Sequence, residues 1–257
     1  MSLEVIKKIR SLTGAGIVDV QKALAEANND EERAIQILRE QGQKMAAKRE
    51  DRTTHEGVIA IAKGINAVAM ASLTCETDFV ALNADFIQAA QDFATQALTL
   101  DPTALKSQAD DKIKNELILK IGENIQFGDA KKIAGSIIGS YLHSNKKIAS
   151  AVVLASGSQE VANDLALHIA AFRPDYMKPE DVPAELIATE QAVYRKQLEA
   201  EGKPAEMIEK ILPGKLEKYY SEVCFLKQKF VKDDTMTVEK YLQQNNAVVE
   251  KFIYLKI

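Results

Sequence analysis

Thr77-Asp78-Phe79-Val80 closes a long neutral run, Ile65 to Cys75, and precedes a helical pattern that begins near Asn83. The stretch therefore reads as a corner where a strand gives way to a helix. Corners of this kind project side chains from a rigid base, and binding residues are often placed there. Asp78 is an acceptor where a helix N-terminus offers free N–H groups, so capping is its ordinary role. Phe79 is a large ring beside a charge. It has two readings: a core aromatic that folds inward, or an anchor aimed at a partner.

Around this corner the composition is that of a soluble globular chain. Of 257 residues, 46% are hydrophobic and 27% charged. That length is ample for a sizeable core and for one to three domains. A net charge of −4 argues against a nucleic-acid backbone as partner, which needs a basic surface. The two cysteines, Cys75 and Cys224, form no CxxC pair, which fits a reducing compartment and no metal framework. The start, Met1-Ser2-Leu3-Glu4-Val5-Ile6, lacks the apolar core of a signal peptide, and no apolar run is long enough for a bilayer. A cytoplasmic protein, with no membrane or nucleic-acid partner, is expected.

Residues 2–42 read as three short helices. Leu3, Ile6, Ile9 and Leu12 suggest one apolar stripe; Thr13-Gly14-Ala15-Gly16 breaks it; Val20, Leu24 and Ala27 give a second. Asp30 can cap a third helix whose buried face is Ala34, Ile35 and Leu38, with Gly42 closing it. Lys44 to Arg52 reads as a linker or helix extension, or more sharply as a nucleic-acid arm, though such arms carry longer basic blocks. Val58–Ala62 and Ala67–Leu73 flank Lys63-Gly64-Ile65-Asn66 as a β-hairpin. After the corner, Phe86, Ala90, Phe93 and Ala97 mark a helix face, and residues 103–121 an amphipathic helical stretch with Ile113, Leu117 and Ile121 on one side. A second hairpin, Ser136–His143 and Ile148–Ala155, is followed by a helix with Val161, Leu165, His168 and Ile169 on one face. Hairpin-then-helix thus occurs twice. Residues 183–223 carry two long helical patterns, with Ile208, Leu212, Leu216, Tyr219 and Val223 as an apolar seam. Pro213 in that seam predicts a kink near Leu212, since an interior proline costs a helix ~3 kcal/mol. Residues 237–245 read as a short helix and 247–257 as a closing strand.

Several separate segments carry a resemblance. Cys75-Glu76-Thr77-Asp78-Phe79-Val80 resembles the core signature of the elongation factor Ts family, guanine-nucleotide exchange factors for elongation factor Tu. Leu12-Thr13-Gly14-Ala15-Gly16 with Lys22-Ala23-Leu24, Lys120-Ile121-Gly122-Glu123-Asn124-Ile125, Gly139-Ser140-Tyr141-Leu142-His143, and His168-Ile169-Ala170-Ala171 with Lys178-Pro179-Glu180 match the same family in order. The resemblance implies an α+β fold. Residues 1–50 form a three-helix ubiquitin-associated-like domain. The repeated hairpin-then-helix pattern itself reads as two similar α+β subdomains with small antiparallel sheets, residues 51–134, and 135–182 with 224–257. Residues 183–223 form a projecting coiled-coil hairpin associated with a homodimer. Pro213-Gly214 departs from the family pattern, which usually has an acidic residue before the glycine. The family commonly continues into a further helical module, so part of its contact with elongation factor Tu is expected to be missing.

The resemblance also implies roles. Phe79 wedges between helices of the nucleotide domain of elongation factor Tu, disturbs its magnesium site and phosphate loop, and expels GDP; Asp78 supports that corner or contacts the partner, and Thr77 and Val80 complete it. Ile121 and His143 extend the contact surface, and Thr13, Gly14, Ala15 and Gly16 mark an N-terminal contact region. No cofactor, metal or catalytic residue is implied. The residues by themselves point the same way: His55, His143 and His168 are isolated, there is no HExxH or G-x-S-x-G, and the glycine of Lys120–Ile125 lies in no phosphate-loop pattern. Unaided, His143 reads as an exposed turn histidine and His168 as a core histidine. The competing readings are a peptide-binding adaptor built on the N-terminal helices and an enzyme whose carboxylates sequence alone cannot pair.

Overall fold

The structure, a computed structural model, describes residues 2–257. The fold is α+β, with small antiparallel sheets. It resolves into two compact units. The first holds the chain up to Lys132 together with Leu142–Ala149 and Leu255–Ile257; the second holds Ile133–Tyr141 and Ser150–Tyr254.

The first unit opens with α1 (Leu3–Thr13), α2 (Ile17–Glu26) and α3 (Glu31–Arg49). Asp30 caps α3 by accepting from the Arg33 N–H at 3.0 Å, as its position before two glutamates predicts. Ile6, Ile9, Val20, Ala23, Leu24, Ala34 and Leu38 form the shared core of the three helices. Two expectations fail here. Leu3 and Leu12 are exposed, because a three-residue repeat drifts about 60° per step around a 3.6-residue helix and only its middle, Ile6 and Ile9, faces inward. Gly42 does not close α3, which runs seven residues further. A Cβ there would lie 2.7 Å from the Lys114 carbonyl oxygen, so Gly42 permits close approach rather than a break. The basic stretch from Lys44 continues this helix.

β1 (Glu56–Lys63) and β2 (Ala67–Cys75) form the first hairpin, with Glu56 opposite Cys75 and Lys63 opposite Val68. The one-turn helix α4 (Asp78–Ala81) and then α5 (Ala84–Gln96) follow. Phe86, Ala90, Phe93 and Ala97 of this segment are buried against Ala60, Ala69, Ala71 and Leu73. α6 (Pro102–Lys112) passes through a π turn at Ile113–Leu117 into α7 (Ile118–Ile121). β3 (Ile125–Ala134) then adds to β2. Thr74 donates to the Gln126 carbonyl and Ser72 to the Asp129 carbonyl, so the two strands run in opposite directions. The sequence reading missed β3. Its charges at Asp129, Lys131 and Lys132 and its Gly128 hide the strand pattern, as suits an edge.

The second unit repeats this plan. β4 (Ile137–Leu142) and β5 (Ile148–Ser156) make a hairpin, α8 (Gln159–Phe172) follows, and a later strand, β8 (Val248–Lys256), adds to β5. Val161, Leu165, His168 and Ile169 of α8 are all buried. Between α8 and β8 lie α9 (Ala184–Ala200), α10 (Ala205–Val223), the small pair β6 (Lys229–Phe230) and β7 (Asp233–Thr237), and α11 (Val238–Gln244). α9 and α10 pack on each other through Leu198, Ile208 and Leu212. α10 is a single helix with Pro213 inside it.

Candidate functional site

The corner begins where β2 ends. Thr77, not Asp78, is the cap of α4: its backbone is extended and its hydroxyl accepts from the Val80 N–H at 3.4 Å. Asp78 is the first helical residue and is exposed, so its charge sits in the first turn without closing it. The difference is one residue of register, set by a hydroxyl that reaches the third N–H. Val80 is half-buried and packs on the core beneath, and Ala81 is buried. Phe79 is 81% exposed and Leu82 77%. One face of a single turn thus grips the core while Phe79 and Leu82, three residues apart, present apolar surface to solvent.

The corner is held from outside its own segment. Glu123 Oε2 accepts the Glu76 and Thr77 N–H groups, each at 3.0 Å, and Glu123 Oε1 accepts the Thr77 hydroxyl at 2.6 Å. In return Glu76 Oε1 accepts the Asn124 N–H at 2.7 Å, and the same carboxylate pairs with Arg52 at 3.2 Å. The Asn124 N–H, then the Arg52 guanidinium, hold the Glu76 carboxyl below its usual range against the opposing effect of burial. Cys75 lies beneath, its thiol donating to the Thr77 carbonyl at 3.2 Å.

The other predicted residues lie on the same unit. Ile121 is half-buried at the end of α7, packed on the core, and Gly122 follows in the left-handed region at φ 86°. Lys120 pairs with Asp85 in the first turn of α5 at 2.7 Å and lies against Gly14. The Thr13–Gly16 turn is thereby linked to α7. Within that turn Thr13 and Ala15 are buried, the Thr13 hydroxyl donating to the Ile9 carbonyl at 2.8 Å; Gly14 is half-buried and Gly16 exposed. The apolar groups around it in solvent are Leu12, Ile17 and Val18. His143 is exposed in the turn before β5. That turn lies along β1: the Ile59 N–H donates to the Lys146 carbonyl at 2.7 Å, and Lys147 pairs with Glu56 at 2.6 Å. Glu56 stands opposite Cys75, so the Lys147 end of this turn lies toward the strand end that leads into the Phe79 corner.

Both cysteines are buried. Burial, then the nearby Glu123 and Glu56 charges, push the Cys75 thiol up to about 12. Burial likewise lifts Cys224 to about 11. Neither offers a thiolate at neutral pH. Among the described residues no group of three or more His, Cys, Asp or Glu side chains could hold a metal ion. No described helix is long and apolar enough to cross a membrane.

The family profile described as Elongation factor TS matches residues 76–257, beginning inside the corner. The elongation factor Ts of Deinococcus radiodurans is 40% identical, covering 99% of this chain and 99% of that protein. That of Hydrogenobaculum sp. is 38% identical over 100% of this chain and 98% of its own length. That of Pediococcus pentosaceus is 36% identical over 100% and 92%.

The chain belongs to the elongation factor Ts family.

The family is one of translation elongation factors, and the relatives match the three N-terminal helices as well as the rest. Sequence reasoning did not find Glu123, Glu76, Arg52 and Leu82 as members of this surface. Glu123 lies in a segment quoted for the family, but its contact with Thr77 spans 46 residues and leaves no local signal. Leu82 carried one: an apolar residue three positions from Phe79 on a predicted turn.

Proposed function

We propose that this protein binds elongation factor Tu in its GDP form and promotes GDP release by inserting the Thr77–Val80 corner, with Phe79 as the wedge. The exposure of the Phe79 ring, on a turn clamped from behind by Glu123, carries this reading. A large apolar ring held in water loses solvent contact only on a partner. Its effect on nucleotide is a matter of differential affinity: a protein that binds the nucleotide-free partner more tightly lowers GDP affinity by the same factor. No covalent bond is made or broken, so the protein acts as an exchange factor and not as an enzyme. Ile121 and His143 widen the contact, and the Thr13–Gly16 turn with its exposed neighbours Leu12, Ile17 and Val18 adds an N-terminal one. The partner places the protein in the cytoplasm.

The α9–α10 hairpin carries a second contact, with another copy of this chain. Leu186, Val193 and Met207 are exposed on it, and the seven-residue spacing of the first two puts them on one face of α9. The test of the main reading is GDP release from elongation factor Tu with and without this protein. Acceleration that rises and saturates with its concentration is expected; an unchanged release rate overturns it.

A further inference from the structure

We infer that Glu123 is a positioning residue for exchange: its carboxylate fixes the peptide plane and the helix cap that aim Phe79. The inference rests on the exchange reading above.

A ring that is 81% exposed has little packing to direct it, so its aim must come from the backbone that carries it. That backbone is a four-residue helix, too short to hold itself by internal hydrogen bonds. What holds it is one carboxylate using both oxygens. Oε2 takes the N–H groups of Glu76 and Thr77, and Oε1 takes the Thr77 hydroxyl. The hydroxyl has a single proton. Spending it on Glu123 turns its lone pairs toward the Val80 N–H, which it caps at 3.4 Å. Glu123 therefore reaches α4 through Thr77, and an ionised acceptor makes each of these bonds stronger than a neutral one.

Glu123 is itself anchored. Gly122, at φ 86°, ends α7, and its carbonyl accepts from the Arg49 guanidinium. The buried Asn124 donates its side-chain N–H to the Arg52 carbonyl at 2.7 Å and its backbone N–H to Glu76. The clamp is reciprocal: each of two neighbouring segments takes the other's N–H on a carboxylate. A glutamine at position 123 keeps the shape but turns one acceptor oxygen into a donor.

The test compares Glu123→Ala, Glu123→Gln, Phe79→Ala and the double variant Glu123→Ala/Phe79→Ala. It reads GDP release from elongation factor Tu across a concentration series, amide hydrogen exchange at Glu76, Thr77 and Val80, and melting. The inference expects Glu123→Ala to accelerate exchange at those three amides and to cut the saturating release rate at least about tenfold, with melting close to the parent. It also expects the double variant to be no slower than Phe79→Ala, since aim has no meaning without the ring. A parent that fails to accelerate release overturns the exchange reading itself. With an active parent, a Glu123→Ala protein that releases GDP at the parental rate, or losses that multiply in the double variant, overturns the role of Glu123. Should Glu123→Ala not fold, Glu123→Gln carries the same comparison, with the same three amides as its readout.

Discussion

At Phe79, position decides which measurement a substitution moves. A buried phenylalanine cut to alanine removes about 3–5 kcal/mol of folding free energy. An exposed anchor removes little, and its loss appears in binding, often about 2 kcal/mol or more. With 81% of the residue in solvent, Phe79→Ala should melt within a few degrees of the parent and slow GDP release from elongation factor Tu at least about tenfold. An early-melting variant with normal release would return Phe79 to the core. His168 is the opposite kind of residue. Its Nδ1 accepts the Val231 N–H at 3.2 Å and its Nε2 faces Gln228 Oε1 at 3.0 Å, so the ring is neutral with its proton on Nε2. Burial draws it down to about 4, against the Gln228 hydrogen bond. The unfolded imidazole, near 6.5, binds a proton that the folded one refuses. Its contribution is therefore whole above about pH 6.5 and is lost as pH falls toward 4, by ~3 kcal/mol in all. His168→Gln should be less stable at pH 7 and lose less stability across that window. Denaturation curves at pH 7, 5.5 and 4.5 measure this, and equal pH slopes in parent and variant would contradict it.

At the scale of elements, glycines mark where two of them touch. A Cβ on Gly139 in β4 would lie 1.9 Å from the Ala162 carbonyl oxygen of α8, closer than any atom tolerates. The contact is with backbone, so no side chain can swing aside. Gly139→Ala should remove about 3 kcal/mol or more, seen as a fall in melting temperature on the order of 6–12 °C. Gly214 is the control. It lies inside α10 with nothing within 4 Å of its Cβ position. Gly214→Ala should stabilise by about 0.5–1 kcal/mol, because helix interiors favour alanine. Equal melting of the two variants would show that β4 and α8 can separate without loss.

For the whole molecule the question is what the α9–α10 hairpin contributes. It has its own small apolar cluster. The chain leaves and re-enters through adjacent points: the Asp175 and Tyr176 N–H groups donate to the Val223 carbonyl at 2.9 and 3.1 Å, and the Phe225 N–H to the Tyr176 carbonyl at 2.8 Å. A short Gly/Ser linker in place of residues 184–222 keeps that base intact. The shortened protein should fold, and any dimer of the parent should shift toward monomer in sedimentation. Collapse of the thermal transition would show that the hairpin is part of the core.

The sequence by itself determined what local rules control. Helix periodicity placed the buried faces of α5 and α8, a neutral run followed by Asn83 placed the corner, and several short segments in order identified the family. Period and propensity act over a few residues, so they are legible there. Where they conflicted with packing, packing won: α3 runs through Gly42 because another backbone comes close, and only the middle of the Leu3–Leu12 repeat faces inward. The edge strand β3 and the clamp of Glu123 on Thr77 could be decided only in three dimensions. A strand with charges on its open edge has no pattern of its own, and a carboxylate 46 residues from the amide it holds is defined by the approach of two elements and not by its neighbours in the chain.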